Sequence, residues 1–189
     1  QAVFTHPGRG VDGYTEGKMN PSGGYMDMQW FSWTQLYPFI RSANIAIQKL
    51  TENEGGLDAG LTKRLLGEAY FMRGYFFTQL MRQYGGIVLL TEPLSLDSDA
   101  ENPRSSFEAT INQIISDVDQ AISLLEDAPQ DKARAHKITA LALKSRVLTH
   151  AASDLYEPSK VGGVSTLASY GNKALIGYTG GSQEQRWQA

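Results

Sequence analysis

Between Leu61 and Tyr84 the chain carries apolar residues in two adjacent helical stripes, and this run, halted at once by Gly85-Gly86, constrains the fold more than any other segment. Leu61, Leu65, Ala69, Met72, Phe76 and Leu80 recur at steps of three and four, which places them on one face of a helix. Leu66, Tyr70, Phe77, Met81 and Tyr84 form a second stripe beside the first. Together they make an apolar surface wider than one partner helix covers, so this helix is expected to lie between several neighbours. Gly85 and Gly86 end it, because glycine tolerates the left-handed conformation at a helix C-terminus without a Cβ clash. Ile87 to Leu90 is too short for a further helix, and Pro93 closes the segment.

The rest of the chain reads as three more helices and two irregular stretches. Residues 1–27 are rich in Gly, Pro, Asn, Asp and Ser and show no period of 2 or 3.6, so an irregular leader is expected there. A first helix is predicted from about Met28 to Leu50, with Leu36, Phe39, Ile40, Ala43, Ala46, Ile47 and Leu50 inward and a kink or fresh start near Tyr37, ahead of Pro38. Thr51 to Asp58, with Gly55-Gly56, is the turn into the aromatic helix. A third helix is predicted to start at a capping box of Ser105 and Glu108. It continues through Phe107, Ile111, Ile114, Ile115, Val118, Ala121, Ile122 and Leu125 to a stop at Ala128-Pro129. The fourth is predicted from Lys137 to Tyr156, with Ile138, Leu141, Ala142, Leu148, Ala152 and Leu155 inward and Pro158 ending it. Its small residues, among them Ala140, Ser145 and Ala151, allow close helix approach. Residues 28–156 thus hold four main helices, and 157–189 a loop and the start of a further helix. The fold class is all-α, with tetratricopeptide-like helix pairs and long irregular loops.

At 189 residues and 41% apolar composition the chain can bury a core, and one domain is expected. A formal charge of -3 and the lack of any Lys/Arg run leave no basic footprint for nucleic acid. No apolar run approaches the eighteen or so residues of a membrane-spanning helix. With no cysteine there is no disulfide and no thiolate metal site. The chain begins at Gln1, and Ser182 to Ala189 reads as the opening turn of a helix, so an internal piece of a longer protein is expected.

Glu68-Ala-Tyr-Phe-Met-Arg73-Gly-Tyr-Phe-Phe77 reads Glu-Ala-aromatic-aromatic-x-Arg-Gly-aromatic, ends at Tyr84-Gly-Gly-Ile87 and exits through Thr91-Glu-Pro93, and in this it resembles the SusD/RagB family, the glycan-binding surface lipoproteins of Bacteroidetes outer membranes. Val88 stands where the family usually has proline. Trp33, Tyr37, Ile40 and Asn44 resemble the family's preceding helix. Arg104-Ser-Ser-Phe-Glu108 with Ile115, Asp117, Asp119 and Ala121 resembles the next, and Thr139 to Val147 the fourth. The resemblance runs from Trp30 to Tyr156 and implies a SusD-like α-helical scaffold of divergent repeats, here the N-terminal part of one SusD-like domain, 1–189. It also implies a non-enzymatic protein that captures oligosaccharides and delivers them to a TonB-dependent SusC-like transporter. A lipid anchor on an N-terminal cysteine absent from this chain would hold it on the external face of the outer membrane.

Candidate chemistry is sparse. His6, His136 and His150 sit on separate elements with no ligand spacing, so no metal site is expected, and nothing calls for a cofactor. Asp97-Ser-Asp-Ala-Glu101-Asn102 alternates oxygen ligands but lacks the glycine and terminal glutamate of a calcium loop, and reads as a solvated acidic loop. No nucleophile elbow, phosphate-cradling loop or paired-histidine motif occurs, so no catalytic residue is nominated. Two carboxylate pairs, Asp117 with Asp119 and Asp12 with Glu16, keep an all-helical glycosidase open as an alternative, and a helical-repeat adaptor for protein or peptide is another. Sugar capture needs aromatic faces for C–H stacking and polar groups for the hydroxyls. Trp30, Tyr25 and Tyr14, with Asp12, Asn20 and Asp27, supply both in or beside the leader, where helix packing does not claim them. Trp33, Tyr37, Tyr70, Tyr75 and Phe77 lie on helices and are expected in the core.

Overall fold

The computed structural model of the chain describes residues 31–95, 101–127, 131, 133–161, 163 and 165–188. Among them every regular element is helical. α1 spans Trp33–Glu52, α2 Ala59–Tyr84, α3 Phe107–Leu124 and α4 Lys137–Ala152. A 3-10 turn at Asp154–Tyr156 follows, then the short helices α5 (Pro158–Val161) and α6 (Ser165–Ala168), a 3-10 turn at Lys173–Leu175, and α7 (Gln183–Gln188). The fold is all-α, as the periodicities require.

Consecutive long helices run antiparallel, which the cross-contacts fix directly. Trp33 at the start of α1 meets Tyr84 at the end of α2, with ring centroids 5.5 Å apart in an edge-on arrangement. α2 packs against both α1 and α3, and α3 against α4. Phe77, Leu80 and Met81 of α2 are fully buried with Leu36 and Ile40 of α1 and Phe107, Ile114 and Val118 of α3 in one core. Each fully buried side chain of this size contributes roughly 1.5–3 kcal/mol. α2 comes closest to α3 at its two internal glycines: a Cβ on Gly67 would meet Leu125 at 2.9 Å and one on Gly74 would meet Val118 at 3.1 Å. The central helix therefore owes its tight packing to missing side chains as much as to its aromatic ones.

Several sequence expectations are corrected. α1 runs unbroken from Trp33 to Glu52 with Pro38 inside it, so no new helix starts at Tyr37. Pro38 is solvent-exposed and near the N-terminus, where its missing N–H costs only the bond that would reach the Thr34 carbonyl. Phe39, expected inward, is exposed and stacks with Phe76, while Asn44 is buried in its place. Met72 of α2 also points outward. The N-cap of α3 is Ser106, not Ser105: the Ser106 hydroxyl accepts from the Ala109 N–H, so Glu108 cannot complete a reciprocal box with Ser105. Ser105 instead donates its N–H to the Ile87 carbonyl at 2.8 Å.

α4 departs most. It ends at Ala152, because Ser153 turns to extended backbone, so Pro158 begins α5 instead of ending α4. Its buried face is Ala140, Leu143, Val147, Ala151 and Ala152. Ile138, Leu141, Ala142 and Leu155, expected inward, are exposed. Apolar residues lie nearly all round this helix, so periodicity alone does not choose a face. Tyr156 chooses it: its ring stacks on Phe107 at 4.1 Å between centroids, and its hydroxyl meets His150 Nε2 at 2.8 Å. Burial, then the charges of Arg82 and Arg146, lowers the His150 pKa and favours a neutral ring in this contact.

The double glycine is where three segments converge. Gly85 has φ +72° with ψ -124°, a conformation open to glycine and not the left-handed helical one expected. Its N–H returns to the Met81 carbonyl, and Gly86 N–H bonds the Leu175 carbonyl at 2.7 Å. A Cβ on Gly86 would run into the backbone carbonyl of Ser105, which cannot rotate away as a side-chain end could. Gly86→Ala is therefore expected to destabilise the fold by about 2–3 kcal/mol, read as a lower urea midpoint. Gly55→Ala, with nothing within 4 Å of the added Cβ, should stay within about 0.5 kcal/mol of the parent.

Candidate functional site

After Gly86 the backbone leaves α2 as a segment that pairs with no strand among the described residues, yet Ile87 is fully buried. A carbonyl buried along it must find a partner or cost about 1–3 kcal/mol. Side chains supply most of them. Arg104 Nε donates to the Gly86 carbonyl at 2.8 Å, and its Nη2 reaches the Tyr84 carbonyl. Tyr37 donates its hydroxyl to the Val88 carbonyl at 2.7 Å, and burial pushes its phenol pKa up, keeping the donor protonated. Asn44 Nδ2 donates to the Leu90 and Glu92 carbonyls at 2.8 and 3.2 Å. Arg73 Nη1 donates to the Thr91 carbonyl at 2.8 Å.

Arg73 also joins the three helices. Its Nε and Nη2 donate to the two Asp117 oxygens at 2.8 and 2.6 Å, and Nη1 donates to Asn44 Oδ1 at 2.9 Å. Gln113 Nε2 donates to Asp117 Oδ1 at 3.0 Å. The two charged side chains are 6% and 1% exposed, which makes this a buried, bidentate pair. Burial pushes the Asp117 carboxyl up from its ordinary value, against the pull of Arg73 and then Gln113. Asp117 is thus committed to structure. Asp119 points away to Lys144 at 2.7 Å, so the two carboxylates do not share a site.

The clamped exit segment forms the floor of an open cleft of about 650 Å³. α1 supplies Asn44, Ile47, Gln48, Thr51 and Glu52, α2 supplies Tyr70 and Arg73, and the exit supplies Thr91, Glu92 and Pro93. Tyr70, expected in the core, is only half-buried, and the Arg73 guanidinium lies 5.3 Å from its ring centroid. The periodicity of α1 as one apolar stripe and of Tyr70 as a packing residue does not reveal this cleft. The signal was Thr91-Glu92-Pro93, a polar exit running beside the buried Asn44.

The six residues nominated for ligand contact, Trp30, Tyr25, Tyr14, Asp12, Asn20 and Asp27, lie outside the described residues, as do His6, the Asp12/Glu16 pair and residues 96–100 of the acidic loop. Among the described residues no cluster of three His, Cys, Asp or Glu side chains is placed to hold a metal ion. No described helix is long and apolar enough to cross a membrane.

Residues 16–148 match the SusD-like family described as starch-binding and associating with the outer membrane. A SusD-like protein of Formosa agariphila is 30% identical over 75% of this chain and 27% of its own length. A SusD-like protein of Bacteroides fragilis, known from a crystal structure, superposes with a TM-score of 0.57 at 30% identity over 73% of this chain and 27% of that one. A structure titled laminarin-binding SusD-like protein superposes with a TM-score of 0.64 at 23% identity, over 81% and 32%, a likeness of fold. The chain spans about a quarter of the length of the curated relatives it matches.

Removing one partner of the buried pair strands the other charge. Asp117→Ala is expected to cost about 3–5 kcal/mol in chemical denaturation. Arg73→Met combined with Asp117→Leu should recover part of that loss, because no charge is then stranded, while Asn44 Oδ1 and the Thr91 carbonyl still lose their donor.

Proposed function

The chain belongs to the SusD-like family, and from that premise we propose that it is part of a surface protein that captures oligosaccharides and delivers them to a TonB-dependent SusC-like transporter in the outer membrane. The observation that carries this reading is the match of residues 16–148 to a family described as starch-binding and outer-membrane-associated. A structural neighbour titled as laminarin-binding supports a glycan as the ligand class. The scaffold's chemistry agrees with binding: the one buried carboxylate of the Asp117/Asp119 pair is neutralised by Arg73, which removes it from acid–base work. External display through an N-terminal lipid anchor belongs to the same proposal, as does a single SusD-like domain across 1–189.

In this reading Trp30, Tyr25 and Tyr14 present aromatic faces to the sugar rings, and Asp12, Asn20 and Asp27 bond the hydroxyls. Trp30 stands immediately before the described structure, three residues ahead of α1. The N-terminus of α1 is held by the Trp33 ring against Tyr37, with centroids 4.8 Å apart, and against Tyr84. A ligand-bearing segment joined there is attached to a fixed point.

Native electrophoresis through gels containing a panel of neutral polysaccharides tests the proposal. The chain should be retarded by at least one of them with no reducing sugar released, and Trp30→Ala should weaken the retardation roughly tenfold in apparent affinity. Migration unchanged in every gel would contradict glycan capture, and release of sugar would replace capture by hydrolysis.

A further inference from the structure

We infer that the cleft between α1, α2 and the exit segment is a second glycan subsite, built for an uncharged sugar unit. The inference rests on the glycan-capture reading and adds a place and a charge class to it.

The cleft has the size, rigidity and lining of a small-molecule site. Its volume of about 650 Å³ falls within the few hundred to about a thousand Å³ usual for such sites. One wall is the stripe Asn44, Gln48, Thr51 and Glu52 on the second half of α1. The opposite wall is Tyr70, and the floor is the exit backbone at Thr91 to Pro93. Both walls are tied to the floor by part-buried hydrogen bonds, Asn44 to the Leu90 and Glu92 carbonyls and Arg73 to the Thr91 carbonyl, so the opening is formed before a ligand arrives. Pre-formed walls spare a ligand the ordering cost of closing them.

The lining matches a sugar. Tyr70 combines an apolar ring with a phenolic hydroxyl, the pairing that sugar C–H and O–H groups both use. Gln48 offers an amide, already oriented by its 2.8 Å bond to Glu52. Thr51 donates its own proton to the Ile47 carbonyl at 2.7 Å, leaving its oxygen to accept from a sugar hydroxyl. Glu52 and Glu92 provide carboxylate acceptors.

The charge balance selects neutral ligands. Among the described residues two carboxylates line the cleft, and the one cationic lining group, Arg73, is spent on Asp117. Lys49 lies beside the α1 wall with its Nζ 3.0 Å from Glu52 and 3.6 Å from Glu54, and so is shared between two acids. A uronate or sulfated sugar would meet uncompensated like charge here, which costs binding.

The test is isothermal titration of the purified chain with neutral polysaccharides, laminarin and xylan included, and with alginate as the uronate probe, for the parent and for Gln48→Ala and Tyr70→Ala. Gln48 is exposed, so its variant keeps the test valid if Tyr70→Ala fails to fold, which circular dichroism reports. Binding of a neutral glycan, weakened about threefold to tenfold in either folded variant and at least tenfold weaker for alginate, is the expected result. Parent-like affinity in the folded variants, or alginate bound as tightly as the neutral glycan, overturns the subsite while leaving glycan capture standing. A parent chain that binds no glycan overturns both.

Discussion

The bidentate contact between Arg73 and Asp117 is the interaction on which the other features depend. It lies where α1, α2 and α3 meet, and its remaining donor is shared between Asn44 and the Thr91 carbonyl. The attraction within such a pair is largely offset by the desolvation of both charges, so its main effect is on register. Donors and acceptors from three helices and the exit segment align in one arrangement only, and a shift of any helix by one residue would leave a charge or a carbonyl buried without a partner. The exit segment needs this support because among the described residues no strand pairs with it. Tyr37, Asn44, Arg73 and Arg104 together replace the strand that would otherwise satisfy it.

That arrangement gives a physical meaning to the residues that carry the family resemblance. Trp33, Tyr37, Ile40 and Asn44 lie along one face of α1 and meet, in order, Tyr84, the Val88 carbonyl, the core, and the Leu90 and Glu92 carbonyls. Arg73 sits in the middle of an aromatic helix because its Nε, Nη1 and Nη2 all donate to partners. The cleft is a consequence: a polar floor clamped between two helices stays open, and Tyr70 and Gln48 are left facing it.

The four-helix order, the double-glycine stop and the helical class were legible because each rests on local rules, namely spacing, glycine conformation and loop composition. What was not legible depends on tertiary contact. The inward face of α4 was misassigned because Ile138, Leu141 and Leu155 are as apolar as Leu143 and Val147, and only the packing of Tyr156 on Phe107 separates them. Ser105 and Ser106 are equal as caps on paper, and the Ile87 carbonyl decides between them by taking the Ser105 N–H. Asn44 and Asp117 were recognised as part of a pattern, but no periodicity shows that a polar residue is buried. The close approach of α2 to α3 at Gly67 and Gly74 likewise shows only in tertiary contact. The residues nominated for sugar contact, Trp30 among them, rest on composition and on none of these rules.

The most direct test of the claim that Arg73 organises the scaffold is the exchange rate of its Nε proton, followed by proton–nitrogen NMR at neutral pH. A proton donated to Asp117 inside the core should give a distinct signal that exchanges with solvent far more slowly than that of the exposed Arg41. An Arg73 Nε–H that exchanges as fast as that of Arg41 would contradict the account, because the guanidinium would then be open to water and the exit segment would be held by something else.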